Sequence, residues 1–235
     1  VVSTDSLRWV EIRRGLVTDS DELAKLESKD RFRITQNGVS KRWAPGSSKT
    51  HFYANGDEHR EDGTLTEDGE EITAMQDKRL RKMKTLEQAV PEPRIFGEQK
   101  NADISFVGWG STLPLLKDLI SVSGANEKLK IKNSKWENSN ILNLESWILN
   151  PWREVRINYL HFDYLWPLKT EKVKQFFEDN PNVHLIESNS TGQLGTLIED
   201  KAGVEFAGKL LKYDGRRFYS EDLTSYIESQ WKIKS

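Results

Sequence analysis

Beyond Pro91-Glu92-Pro93, short apolar runs alternate with amphipathic stretches, and that alternation leaves room for few architectures. Ile104-Ser105-Phe106-Val107-Gly108-Trp109 has the near-continuous apolar character of a strand covered on both faces. Gly110-Ser111-Thr112 then reads as a turn and Leu113 to Val122 as a helix. The same order recurs: Val155 to His161 predicts a strand, Thr170 to Glu178 a helix, Val183 to Glu187 a strand, and Gly192 to Lys201 a helix, with a last helix from Ser220 to Trp231. Strands alternating with helices of this length predict an α/β fold with a doubly wound, mostly parallel sheet.

The chain upstream has a different grain. Asp68 to Gln88 predicts a helix in which Ile72, Met75, Leu80, Met83 and Leu86 fall near one face, with acidic residues early and basic residues late, as the helix dipole favours. Proline lacks an amide hydrogen and restricts the residue before it, so Pro91 and Pro93 end that helix and mark a boundary. Arg8 to Gly63 shows little periodicity and many turn residues, and predicts a loop-rich arm. So long an irregular stretch points to an interface. The chain opens on Val1-Val2-Ser3-Thr4-Asp5, which reads as the end of a strand with an upstream portion missing. Lys132 to Glu154, rich in Asn and Trp, reads as an insertion between strands. The expected organisation is a first domain over 1–96 and a second over 97–235.

Composition removes several classes of function. The 35 Lys and Arg nearly balance the 37 Asp and Glu, and a net charge of −2 gives no global field to attract nucleic acid or an anionic membrane. The absence of cysteine excludes disulfides, thiolate catalysis and cysteine-held zinc or iron–sulfur clusters within this chain, and favours a cytoplasmic location. No apolar run approaches the roughly 20 residues that span a bilayer, so no membrane is expected as a partner.

Four groups of residues carry candidate chemistry. Gly110, Ser111 and Thr112 open a helix after a strand; such a turn offers amides to a phosphate or carboxylate, or Ser111 or Thr112 simply caps the helix. Asn189, Gly192 and Gln193 lie in a second strand-to-helix junction, where a doubly wound sheet places its crevice, and they either bind a cofactor or anion or organise the turn. Glu58 and His59, within Gly56-Asp57-Glu58-His59-Arg60-Glu61-Asp62-Gly63, suit acid–base work, or belong to a solvated loop. Their spacing is not that of a metal site, and none is expected. Lys41 and Arg42 sit in a loop, where the planar fork of an arginine can grip a carboxylate or phosphate. The basic run Lys78-Arg79-Leu80-Arg81-Lys82-Met83-Lys84 lacks interleaved aromatics for base stacking and reads as a solvated or partner-facing helix face rather than a nucleic-acid site. His51, His161 and His184 are isolated from one another, the last two in strand patterns. No G-x-S-x-G elbow supports a serine hydrolase.

Several of these pieces, in order, resemble the α subunit of the 2-oxoacid:ferredoxin oxidoreductases, including 2-oxoglutarate synthases. Asn37-Gly38-Val39-Ser40-Lys41-Arg42-Trp43-Ala44-Pro45-Gly46 is similar to that family's Asp-Gly-(Ile/Val)-Ser-Pro-Arg followed by Pro-Gly. Glu58-His59, Glu61, Gly63, Thr66-Glu67-Asp68 and Lys78-Arg79-Leu80-Arg81-Lys82 resemble its Glu-His-Asp-Glu-x-Gly loop and Lys-Arg helix. Gly108-Trp109-Gly110-Ser111-Thr112, Pro167-Leu168, Glu187-x-Asn189-x-x-Gly192-Gln193-Leu194 and Lys212-Tyr213-Asp214-Gly215 complete the likeness. Lys41 stands where the family has proline and Asn37 where it has aspartate, and the Trp-rich stretch 134–153 is longer than the family pattern.

The resemblance implies the C-terminal part of such a subunit: the loop-rich end of a thiamine-pyrimidine-binding domain over 1–96, then a transketolase C-terminal-like domain over 97–235. It implies oxidative decarboxylation of a 2-oxoacid onto coenzyme A, with electrons passing to ferredoxin. Thiamine diphosphate, Mg2+ and the iron–sulfur cluster are expected mainly in a partner β subunit of a hetero-oligomer, with Arg42, Glu58 and His59 facing the active site or that interface. The family's Tyr-Pro-Ile-Thr-Pro-type loop is expected upstream, so the chain alone is expected to be inactive. Read without the resemblance, the same sheet suits a non-catalytic nucleotide-, coenzyme- or protein-binding module.

Overall fold

A computed structural model describes residues 15–26, 30–44, 46, 52–122 and 155–232. His51, the opening run and the stretch 132–154 lie outside these residues. The chain divides into two compact units, Val1–Ala89 and Val90–Ser235.

In the first unit the arm carries a short helix, α1 (Ser20–Ala24), begun by Asp19, whose carboxylate accepts the Glu22 amide at 2.7 Å. The helix α2 (Gly69–Ala89) falls within a residue of its expected bounds. Asp68 caps it, its Oδ1 accepting the Glu70 and Glu71 amides at 3.0 Å. Its packing face differs from the apolar stripe expected from periodicity. Met75 and Lys78 are buried, but Leu80 is 63% exposed and Leu86 41%. The arm takes the side of α2 running through Met75, Lys78 and Thr85 instead. Thr85 Oγ1 donates to the Asn37 carbonyl at 2.7 Å, and the Lys78 ammonium donates to the Phe32 carbonyl. Gly38, at φ +75°, lies so close to α2 that a Cβ would stand 2.3 Å from the Lys82 nitrogen. Lys78 is therefore not on a solvated basic face; burial, with Lys82 beside it, pulls its ammonium down to about 8.

The second unit is an α/β fold around a five-stranded sheet. Its elements are β1 (Arg94–Gly97), β2 (Ile104–Trp109), α3 (Thr112–Val122), β3 (Ile157–Phe162), α4 (Thr170–Asp179), β4 (Val183–Glu187), α5 (Gln193–Ala202), β5 (Gly208–Leu211) and α6 (Ser220–Lys232). The strand order is β1-β3-β2-β4-β5, and all neighbours are parallel except β1, which runs antiparallel to β3. The mostly parallel, doubly wound sheet is the one the alternation predicts. β1 and β5 are additions to it, and β1 puts Arg94 to Gly97 in this unit, ahead of the expected start at residue 97.

Successive side chains of a strand point to opposite faces, and the core divides accordingly. Val107, Leu160, Phe162 and Val183 pack with Val173 and Phe176 of α4 and Leu194 and Ile198 of α5. Ile104, Phe106, Ile157 and Tyr159 pack on the other face with Leu116 of α3 and Leu223 and Ile227 of α6. Helices therefore cover both faces. Strand order reverses about β2, which has β3 on one side and β4 on the other. The turns after β2 and β4 thus flank the switch point where such sheets place their crevice.

Candidate functional site

The arm holds Arg42 by its backbone. Its amide donates to the Leu16 carbonyl at 2.9 Å and its carbonyl accepts the Thr18 amide at 2.7 Å, while its side chain is exposed. The preceding turn is built by Asn37, whose side-chain oxygen accepts from the Val39 amide at 3.0 Å and the Thr35 hydroxyl at 3.1 Å. Those are acceptor duties that an aspartate would also perform. Lys41, in the family's proline position, is paired with Glu22 on α1. Trp43 is 2% exposed and meets Phe52 edge-on, with ring centroids 5.9 Å apart.

Glu58 and His59 are neighbours, but the described structure gives them different partners. The Glu58 carboxylate accepts from Arg79 Nη1 at 2.8 and 2.9 Å and from Gln76 Nε2 at 2.8 Å. The Arg79 bonds are the main cause that holds it below the usual carboxylate range. His59 is buried, its ring 4.3 Å from that of Phe32, and its Nδ1 lies 2.8 Å from the Arg60 carbonyl. A carbonyl only accepts, so Nδ1 carries the proton and Nε2 is the nitrogen left for other work. The other acidic residues also serve the loop. Asp62 accepts from the Thr64 amide at 2.9 Å, and Glu71 accepts from Arg60 Nε at 2.9 Å and from the Thr66 hydroxyl. An open pocket of about 310 Å³ lies against this loop, lined by Asp30, Ile34, Arg60, Glu61, Glu71 and Met75 among others. Among the described residues no group of three His, Asp or Glu is placed to hold a metal ion.

At the switch point the two strand-to-helix turns differ. After β4, Asn189 Oδ1 accepts from the amides of Thr191 at 3.1 Å and Gly192 at 2.6 Å, with Gln193 at 3.4 Å. The buried Glu187 carboxylate takes the Leu194 amide at 3.0 Å. The amides that would meet an anion at α5 are thus engaged inside the chain, which is the geometry of a turn organiser. After β2, Gly110 and Ser111 are exposed, and Gly110 has φ +64° with open space where a Cβ would sit. Thr112 does not fold back as a cap, because its hydroxyl donates to the Trp109 carbonyl at 2.9 Å.

That hydroxyl heads a buried chain which the sequence did not reveal. Thr112 has spent its proton on Trp109, so it accepts from the Tyr159 hydroxyl at 2.8 Å; Tyr159 in turn accepts from His161 Nδ1 at 2.9 Å. His161 Nε2 faces Asp163 at 3.5 Å, and Asp163 is gripped by Arg94 of β1 with two contacts of 2.8 Å. Burial pushes the Tyr159 phenol up. His161 is drawn down, chiefly by burial and then by Arg94, against the pull of Asp163. The available signal was the two-residue spacing of Tyr159 and His161 on one strand, which puts both on one face.

The chain is homologous to the α subunits of 2-oxoacid:ferredoxin oxidoreductases. It is 24% identical over 217 residues to subunit alpha of 2-oxoacid:ferredoxin oxidoreductase 1 from Sulfurisphaera tokodaii, an alignment covering 91% of this chain and 29% of that one. It is 25% identical over 222 residues to the corresponding subunit from Saccharolobus solfataricus, covering 94% of this chain and 30% of that one. The chain thus spans less than a third of the length of these relatives. Its fold matches part of the 2-oxoglutarate:ferredoxin oxidoreductase from Magnetococcus marinus, which was solved with 2-oxoglutarate, coenzyme A and succinyl-CoA bound. The TM-score is 0.62 at 19% identity, over 84% of this chain and 30% of that one. No protein-family model matches the chain.

Proposed function

We propose that this chain is the C-terminal part of the α subunit of a 2-oxoacid:ferredoxin oxidoreductase, and that Arg42 grips the carboxylate of the 2-oxoacid. The observation that carries the reading is the Arg42 loop itself. Its turn is held by Asn37, its glycine is pressed against α2, and its arginine is anchored by both backbone groups with the side chain exposed. A guanidinium carried on so fixed a backbone has the planar donor fork that suits a carboxylate. Homology over most of the chain and the ordered run of similar motifs support the same reading.

The loop of Glu58 and His59 faces the active-site cleft or the β subunit. Thiamine diphosphate, Mg2+ and an iron–sulfur cluster belong to that partner in this proposal. With no cysteine, this chain's donor set does not fit a cluster. Coenzyme A is the cosubstrate, ferredoxin the electron acceptor, and the cytoplasm the location. Among the described residues no helix is long and apolar enough to cross a membrane.

The test is co-expression of the full natural subunit with its β subunit, followed by coenzyme A-dependent reduction of ferredoxin or a viologen dye. Turnover with a 2-oxoacid is expected, with Arg42→Ala lowering kcat/KM on the order of 10–100-fold, the worth of a hydrogen bond to a charged group. No reduction with any 2-oxoacid would sink the proposal. A second reading, a non-catalytic coenzyme-binding module, draws on the open Gly110-Ser111 turn at the switch point. It predicts coenzyme A or nucleotide binding without turnover.

A further inference from the structure

The sequence holds two Asn-Gly pairs, Asn37-Gly38 and Asn55-Gly56, both on the arm. Asn-Gly is the dipeptide in which an asparagine most readily reacts with its own backbone, because glycine puts no side chain in the way of the attack and turns freely. Exposure of the asparagines does not separate the two pairs, since Asn37 and Asn55 both face solvent. The glycines do. Gly38 is buried, its amide donates to the Thr35 carbonyl at 3.2 Å, and the α2 backbone stands where a Cβ would be. Asn37 is held as firmly: its Oδ1 accepts from the Val39 amide at 3.0 Å and the Thr35 hydroxyl at 3.1 Å, and its carbonyl accepts from the Thr85 hydroxyl at 2.7 Å. Gly56, by contrast, is exposed, with nothing within 4 Å of where a Cβ would sit. Among the described residues the Asn55 side chain has one bond, from the Asp57 amide to its Oδ1 at 3.2 Å.

We propose that Asn55 is a site of spontaneous modification, converting through a succinimide to aspartate and isoaspartate, and that the fold protects Asn37 from the same reaction. The Gly56 amide nitrogen gives up its proton and bonds to the side-chain carbonyl carbon of Asn55, whose bond to Nδ2 breaks, and ammonia leaves. Water then opens the five-membered imide. Attack at the side-chain carbonyl restores the backbone and leaves aspartate, whereas attack at the main-chain carbonyl routes the backbone through the side chain as isoaspartate. Water is the one reactant required. Either product adds a negative charge shortly before Asp57 and Glu58. Isoaspartate also lengthens the backbone leading into Glu58 and His59, so that loop ages while the turn before Arg42 does not. The step is independent of the oxidoreductase reading.

The test is incubation of the full natural subunit in warm, mildly alkaline buffer, followed by peptide mass mapping. Trypsin releases the pairs on separate peptides, residues 34–41 and 50–60, and a sample taken at the start corrects for conversion during digestion. Asn55 is expected to convert at least about tenfold faster than Asn37, because ring closure at Asn37 breaks two more hydrogen bonds, each worth about fivefold in rate. In guanidinium chloride the two rates are expected to converge, which assigns the difference to the fold. Gly56→Ala, at an open position, is expected to remove most of the Asn55 conversion, as the succinimide route requires. Equal rates in the folded chain, a faster Asn37, or a difference that persists in guanidinium chloride overturns the proposal. So does an Asn55 that converts only when unfolded, or one that Gly56→Ala does not slow.

Discussion

Gly38 shows how much one backbone position of the arm is asked to do. Its φ of +75° is one that side chains resist, and the α2 backbone occupies the place of a Cβ. Gly38→Ala therefore combines backbone strain with overpacking and is expected to cost about 2 kcal/mol or more, read as a lowered urea midpoint at unchanged slope. His161 is the second residue with a distinct signature. Tyr159, Thr112, Asp163 and Arg94 surround it, and its folded value lies below the unfolded one. As pH falls from about 7 through the unfolded value near 6.5, the unfolded chain takes up this proton first, so stability drops until the folded value is also passed. His161→Gln should flatten the fall in urea midpoint on acidification through that window. An equally steep fall in the variant would remove His161 as its source.

At the scale of elements, periodicity located α2 but misjudged which side would be covered. An apolar stripe states what a helix can bury, not what the neighbouring chain supplies. Here the supplier is a polar arm that reaches α2 through the Asn37 carbonyl, the Phe32 carbonyl and Gly38. Met75→Ala should destabilise the chain by about 2–3 kcal/mol, whereas Leu80→Ser should stay within about 0.5 kcal/mol. Chemical unfolding of the two variants checks the contrast, and equal losses would contradict the assignment. The central strands β2, β3 and β4 were legible because burial on both faces demands unbroken apolar runs. β1 and β5 were not, since Arg94-Ile95-Phe96-Gly97 and Gly208-Lys209-Leu210-Leu211 are four-residue edge strands, each with a charge and a glycine. The candidate site follows the same rule. The Asn189 turn is local in sequence and readable as either a cap or a ligand turn, but the bond from Tyr159 to Thr112 joins residues too far apart for any local pattern to announce.

At the scale of the whole molecule, the two units differ in how they are held. Both apolar clusters lie in the second unit. Among the described residues the first unit buries only Leu23, Trp43 and Met75 as apolar side chains, and its remaining order rests on hydrogen bonds and ion pairs. Hydrophobic burial is the dominant favourable term in folding. A fragment of residues 90–235 is therefore expected to unfold cooperatively on heating, and one of residues 1–89 to show no such transition. Calorimetry of the two fragments tests this, and a sharp transition in the shorter fragment would count against it.

The buried run from Trp109 to His161 also has a direction. The Trp109 carbonyl can only accept, so each proton behind it is committed in turn: Thr112 to Trp109, Tyr159 to Thr112, His161 to Tyr159. Reversing any one of them requires reversing them all. The Tyr159 hydroxyl, fully buried and engaged on both sides, is thereby cut off from exchange with solvent. Its hydrogen is the one hydroxyl hydrogen in the run that should persist long enough in water to give a resonance of its own, and so to report, by its appearance or loss, whether the sheet beneath α3 is closed.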